Sequence, residues 1–315
     1  MPEPEAGQVM VRVMYCGICY SDVAMIDNDW GLSAYPLVPG HEVIGEVVKL
    51  GNDTERLRVG DIVGVGWYSS SCNTCVECLN DEHQLCANTE STIVRRPGGF
   101  ADHILCDEIW AVKIPKKLQT PETAPLFCGG ITVFDPLMIN QIKPNQKVAV
   151  VGFGGLGHLA VQFLHHWGCQ VTVFSQTKTK ANDAFGFGAI DLIETHNPEA
   201  LLKHANQFDL ILVTSYADLE WPLYLNALRP KGKIHIVGAV PNPIPVPAFT
   251  LIGGQRSIGG SALGSPKTVK KMLSFSAKHK VTAQIEHFKM SEVNQAIKRL
   301  RNGEVRYRVV LEADF

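Results

Sequence analysis

Nine cysteines stand in the 315-residue chain, and four of them, Cys72, Cys75, Cys78 and Cys86, follow the spacing C-x2-C-x2-C-x7-C. A tight, non-helical loop with that spacing can wrap four thiolates around one tetrahedral zinc ion. Four soft ligands close the coordination shell, so the role of such a site is structural. Four buried thiols are the plainer alternative, and a zinc ribbon on nucleic acid is another. Glu77, Asp81 and Glu82 lie within and beside the loop and would repel phosphate, which weakens the ribbon reading. Three further stretches carry potential ligands: Cys16-Gly17-Ile18-Cys19-Tyr20-Ser21-Asp22, Pro39-Gly40-His41-Glu42 and Phe127-Cys128-Gly129-Gly130. Two cysteines and a histidine drawn from them would leave a fourth corner open to water or a substrate oxygen, as a catalytic zinc requires. Taken singly, each of these residues reads at least as well as packed core.

A third pattern concerns phosphate. Gly152, Gly154 and Gly157 form G-x-G-x-x-G between the apolar run Lys147–Val151 and a helical pattern reaching Trp167. In that setting the glycines allow a tight turn and let backbone approach a pyrophosphate seated at the positive end of the helix. An ordinary glycine-rich turn is the bland alternative. The next strand ends Phe174-Ser175-Gln176-Thr177-Lys178-Thr179-Lys180, with no Asp or Glu at its tip. A carboxylate there would bond the ribose 2′-hydroxyl of NAD and repel the 2′-phosphate of NADP. Small polar groups and two lysines can hold that phosphate instead, which points to NADP(H). A solvated helix start with incidental lysines competes with this reading.

The elements that must position these residues differ in texture along the chain. Residues 1 to about 128 carry short β-like runs at 9–13, 43–48 and 62–65 between Gly, Pro and Asp clusters, which suggests a β-rich, irregular domain. From about 129 to 265 strands alternate with helical segments. Strands are expected at 147–151, 170–174, 191–193, 208–214 and 233–238, with a helix over 179–187, as in a doubly wound parallel sheet. The tail has two amphipathic stretches, 267–279 and 291–302, and a final strand at 307–311. Pro241, Pro243, Pro245 and Pro247 make a stiff loop. With 45% hydrophobic and 19% charged residues the chain reads as a soluble globular protein. The net charge of −2 gives no broad attraction to nucleic acid or anionic membrane. Glu3, Glu5 and Arg12 precede any apolar run, so no secretory signal is read, and the expected compartment is the cytoplasm.

Together these motifs resemble the zinc-containing medium-chain alcohol dehydrogenases, and within them the cinnamyl alcohol dehydrogenase-like group. The resemblance is carried by GICYSD at 17–22, YPLVPGHEVIGEV at 35–47, the cysteine loop, APLFCGGIT at 124–132, GFGGLGH at 152–158 and VRYRVVL at 305–311. It implies an α/β chain with a β-rich GroES-like catalytic domain at 1–128 and 266–315 and a doubly wound Rossmann domain at 129–265. It implies two zinc ions per chain, one held by the cysteine loop and one by Cys19, His41 and Cys128, with Glu42 as an occasional extra ligand. Asp22 would orient His41, and the Ser21 hydroxyl would begin a proton path. Ser175, Gln176, Thr177 and Lys180 would contact the 2′-phosphate, and Thr132, Gly155, Leu156, Val237 and Ser261 would join the three glycines around the rest of NADP(H). The implied reaction is hydride transfer between NADP(H) and a primary alcohol or aldehyde. A homodimer joined through an edge strand at 256–262 is implied as well.

The chain departs from that family pattern in several places. The histidine that usually continues the proton relay is Ala24 here, and the residue after the first cysteine ligand, commonly His, is Tyr20. Relatives begin with a β-hairpin ahead of a segment like residues 5–13 that is absent here; a mis-set start site and a genuine truncation would look identical, and a genuine one would uncover an edge of the sheet. Trp30, Leu32 and Trp67 are candidate pocket walls, with core packing as their alternative, and Ser91 stands where relatives often carry an aromatic. Cys16, Cys106 and Cys169 match no ligand position and are expected to be buried small hydrophobes. Two rivals are a polyol dehydrogenase of the same fold, opposed by Cys128 and the intact cysteine loop, and a non-catalytic structural or partner-binding relative with an impaired relay.

Overall fold

Val9, Val11 and Val13 are buried at alternate positions of the strand Gln8–Ile18, the period of a strand with one face on a core. This strand is the backbone of the first of two units in the computed structural model, which describes residues 2–315. The unit comprises the chain up to Ile131 together with Leu263–Phe315. Its sheet runs in the order Ile285–Lys289, Arg308–Glu312, Gln8–Ile18, Val43–Leu50, Ile62–Val65, Val112–Lys113, and His103–Asp107 also pairs with Gln8–Ile18. On one side Gln8–Ile18 meets Val43–Leu50; on the other it meets His103–Asp107 along its first half and Arg308–Glu312 along its second. The strand nearest the start of the chain is therefore interior to the sheet. Cys16 and Cys106 are buried in this core beside Val43, Val63 and Leu311.

The second unit, Thr132–Ala262, is a six-stranded parallel sheet. Its order is Asp191–Glu194, Gln170–Ser175, Lys147–Val151, Phe208–Val213, Leu228–Ile236, Ser257–Gly260. The central strands are apolar on both faces, as a sheet covered by helices on both sides demands: Val148, Ala149 and Val150 are fully buried, as are Leu210, Ile211 and Leu212. The order places the first strand beside the fourth, so the crossover direction reverses at the C-terminal end of Lys147–Val151, where an open α/β sheet binds its ligand. Cys169 is buried here, next to the start of the second strand.

Several elements escaped the pattern in the sequence or were read short, and three show why. The helix Ala248–Gly254 follows the proline stretch and buries no residue, so it shows no apolar periodicity. Ile285–Lys289 is an edge strand with no fully buried position. Leu228–Ile236 begins well before 233 because Leu228 pairs with Phe208 ahead of a register shift, with Arg229 held to Asp209 at 2.9 Å. No helix among the described residues is long and apolar enough to cross a membrane.

Candidate metal centres and coenzyme groove

Cys19, His41, Glu42 and Cys128 bring their ligand atoms within 4.8 Å of one another. Cys19 follows the end of Gln8–Ile18 and precedes the helix Tyr20–Asp27. His41 and Glu42 immediately precede Val43–Leu50, the neighbouring strand. Cys128 ends the short helix Pro121–Phe127. Glycines set the approach: a Cβ on Gly17 would lie 2.0 Å from Glu42 Oε2, and one on Gly64 would lie 1.9 Å from the Phe127 ring. Only bare backbone at these two positions lets Glu42 turn inward and the Phe127–Cys128 corner pack against its neighbouring strand.

Asp22 organises the cluster. Its Oδ2 accepts from the Cys19 backbone N–H at 2.8 Å, and its Oδ1 accepts from Gly40 N–H at 2.9 Å and from His41 Nδ1 at 2.8 Å. With the proton on Nδ1, the lone pair of His41 sits on Nε2, a buried atom with no hydrogen-bond partner. Glu42 Oε1 is paired with Arg308, while Oε2 is buried and unpartnered. Two orphaned acceptors facing two sulfurs form a donor set that a cation would satisfy. The Cys19 and Cys128 sulfurs stand 3.9 Å apart, close to the roughly 3.8 Å edge of a tetrahedron with zinc–sulfur bonds of about 2.3 Å. The hydrogen bond from Cys128, followed by the Arg308 and His41 charges, holds the Cys19 thiol well below its ordinary range. The same contact, in which Cys128 donates to Cys19, pushes the Cys128 thiol up, and burial adds to it. Burial pushes Glu42 up to about 7 despite Arg308. Burial opposes charging of His41, and Asp22 outweighs it.

Arg308 carries no role in the sequence reading. Its signal was present: an arginine in the apolar run Tyr307–Leu311 needs a buried partner, and at 4% exposure it finds Glu42. Trp67 packs edge-on against the His41 ring with centroids 5.0 Å apart, and Trp30 packs on Trp67 at 5.9 Å. Leu32 is half exposed. Ser21 Oγ lies 3.7 Å from Cys19 Sγ. Ala24 is 1% exposed within the first helix, so a larger side chain there would have to displace packed neighbours.

In the second cluster the ligand atoms of Cys72, Cys75, Cys78 and Cys86 also fall within 4.8 Å of one another. Cys72 lies 4.0 Å from Cys78 and 3.5 Å from Cys86, sulfur to sulfur, again near the tetrahedral edge. Backbone N–H groups of Thr74 and Cys75 turn toward Cys72 and bring its thiol down to about 6. That one sulfur is prepared to be a thiolate by backbone amides, while burial pushes its neighbour Cys78 up.

In the second unit a groove of about 1010 Å³ opens at the end of Lys147–Val151. Gly152, Gly154, Gly155, Leu156, Ser175, Gln176, Thr177 and Lys180 line it. The three motif glycines differ in what they provide. Gly152 has φ +90°, a left-handed backbone. A Cβ on Gly157 would lie 2.1 Å from the Gly152 carbonyl oxygen, so this position brings helix and strand together. A Cβ on Gly154 would meet no atom within 4 Å; the protein's own packing does not require that glycine, and the space belongs to the groove. Thr132, Val237 and Ser261 are not among its lining residues. Thr132 is buried in the helix Gly129–Ile139, and the Ser261 hydroxyl is 2.9 Å from His235 Nε2. The groove also includes Glu194. A search for an acid at the tip of the second strand passes it over because it ends the third, in register with Ser175.

Fold and site together define an oxidoreductase of the zinc-dehydrogenase type, and the comparisons agree. Residues 5–116 match the alcohol dehydrogenase GroES-like domain and residues 155–278 the zinc-binding dehydrogenase domain. The chain is 46% identical to aldehyde reductase AdhA of Synechocystis sp. over 306 residues, 97% of this chain and 91% of that one. A cinnamyl alcohol dehydrogenase from Sorghum bicolor superposes with a TM-score of 0.94 at 35% identity, covering 99% of this chain and 91% of that one. A Helicobacter pylori enzyme of the same kind, complexed with NADP(H), superposes with a TM-score of 0.89 at 29% identity over 98% of this chain and 91% of its own. The chain belongs to the zinc-binding alcohol dehydrogenase family, whose members are oxidoreductases of alcohols and aldehydes.

Proposed function

We propose that the protein is an NADP(H)-dependent aldehyde reductase and alcohol dehydrogenase with one catalytic and one structural zinc per chain. The observation that carries the proposal is the cluster of Cys19, His41 and Cys128 with its orphaned imidazole nitrogen. When bound, zinc supplies Lewis acidity at the reacting oxygen, and the nicotinamide supplies or accepts the hydride. The chain's own residues do the rest. Asp22 fixes the tautomer of His41 and so aims Nε2 at the metal position. Glu42, tied to Arg308 on one oxygen, keeps its second oxygen as a reserve ligand. Ser21, partly exposed beside Cys19, passes a proton between the reacting oxygen and solvent. With Ala24 enclosed in the first helix, water continues that path. Trp67 and Trp30 form an aromatic wall next to His41, which favours aldehydes bearing a flat or apolar group.

Four thiols with tetrahedral spacing in the loop of Cys72 to Cys86 support the structural zinc. The absence of an acid at the tip of the second strand, the groove at Ser175 to Lys180, and the relative solved with NADP(H) support the coenzyme. Ser257–Gly260 is the edge of the parallel sheet, and Phe249 and Ile252 just before it are exposed at 86% and 67%. These features support a homodimer through that edge. The test is NADPH oxidation against a panel of aldehydes and polyols. Turnover of aldehydes is expected; turnover confined to polyols, or none, would overturn the proposal.

A further inference from the structure

Glu194 lines the coenzyme groove and has no part in the reading above. It ends the third strand of the parallel sheet in register with Ser175, and residues in register on adjacent strands present their side chains to the same face. Its Oε2 lies 3.4 Å from Lys178 Nζ, and its Oε1 lies 3.9 Å from His196 Nδ1. Lys180 Nζ donates to the Phe153 carbonyl at 3.5 Å. Both lysines of the segment that would neutralise a 2′-phosphate thus already have acceptors in this chain, and one of those acceptors is a carboxylate. A dinucleotide site that prefers NAD places an acid at the tip of its second strand; here the acid reaches the same wall from the strand beside it.

We propose that Glu194 is a coenzyme-specificity residue that narrows the preference for NADP(H) over NAD(H). It draws Lys178 away from the 2′-phosphate, sets a negative charge on the wall that phosphate must face, and offers an acceptor to the free 2′-hydroxyl of NAD(H). The inference rests on the dinucleotide reading given above. The Lys178–Glu194 pair is partly exposed and therefore weak enough to exchange partners when a phosphate enters. One carboxylate charge within reach of a phosphate, in a site partly open to solvent and salt, should alter its affinity on the order of fivefold to tenfold.

The experiment titrates the full-length protein with NADPH and with NADH, following nucleotide fluorescence at one fixed ionic strength. Glu194→Gln should lower the Kd for NADPH by roughly fivefold to tenfold and leave that for NADH unchanged or raised. Lys178→Gln should weaken NADPH alone, and less so when Glu194 is also Gln, because the two side chains are coupled. Wild-type binding of NADPH with the same NADPH-to-NADH ratio in Glu194→Gln would overturn this inference and leave the coenzyme reading intact. Failure of the wild type to bind either nucleotide would overturn the coenzyme reading itself.

Discussion

Replacing Gly157 and Gly154 separately by alanine should split stability from coenzyme binding, because the added methyl meets different surroundings. At Gly157 it would lie 2.1 Å from the Gly152 carbonyl oxygen, more than about 1 Å inside a normal contact. Gly152 cannot retreat easily, since its φ of +90° is a left-handed conformation tied into the turn, and its N–H donates to the Phe174 carbonyl at 2.9 Å. Helix and strand must therefore separate, at a cost of about 1–3 kcal/mol as for other overpacked sites. At Gly154 the methyl meets nothing within 4 Å, and the chain loses only unfolded-state freedom, a gain of about 0.4–1 kcal/mol. That methyl does occupy the groove, so NADPH should bind at least about tenfold more weakly, equivalent to about 1.4 kcal/mol. Urea unfolding followed by circular dichroism gives the first quantity, and nucleotide fluorescence titration gives the second. Equal loss of stability in the two variants, or parental NADPH affinity in Gly154→Ala, would refute the division of labour among the glycines.

Other consequences can be checked as directly. Asp22→Ala leaves His41 without its Nδ1 partner and orphans the Cys19 and Gly40 N–H groups; metal affinity at the proposed catalytic site should fall about 10- to 100-fold in chelator competition, with the four-cysteine site unaffected. His235 is 2% exposed and held down to about 4, first by burial and then by Lys233. The unfolded chain binds this proton from about pH 6.5, so the contribution to stability is complete above that pH and is lost as pH falls toward 4, amounting to about 3 kcal/mol. His235→Gln should remove that part of the acid sensitivity in unfolding measured between pH 7 and pH 4, and an unchanged pH slope would contradict it. Phe249→Asp places a charge in the exposed apolar stretch beside the sheet edge and should convert the proposed dimer to monomer in sedimentation velocity.

The parallel sheet was legible because its strands are nearly continuous apolar runs closed by glycine and polar turns, as in Lys147–Val151 followed by Gly152. The spatial groupings of thiols and imidazole were legible through spacing in the cysteine loop, and through motif resemblance for Cys19, His41 and Cys128. Arg308 and Glu194 went unassigned for one physical reason: each matters through a neighbour on another strand, and pairing between strands leaves no local period. Helix Ala248–Gly254 went unread because it buries nothing, so composition and phase carry no trace of it. Gly17 and Gly64 look like ordinary strand glycines until the side chains of Glu42 and Phe127 are seen against them.

The proposed function depends on one metal being shared by sulfur at 19, nitrogen at 41 and sulfur at 128. Zinc quantification on the purified protein and on Cys128→Ser, together with aldehyde reduction by each, tests this most directly. Two zinc ions per chain with turnover in the parent, and one with no turnover in the variant, is the expected result. A variant that keeps both ions and its activity would contradict the account.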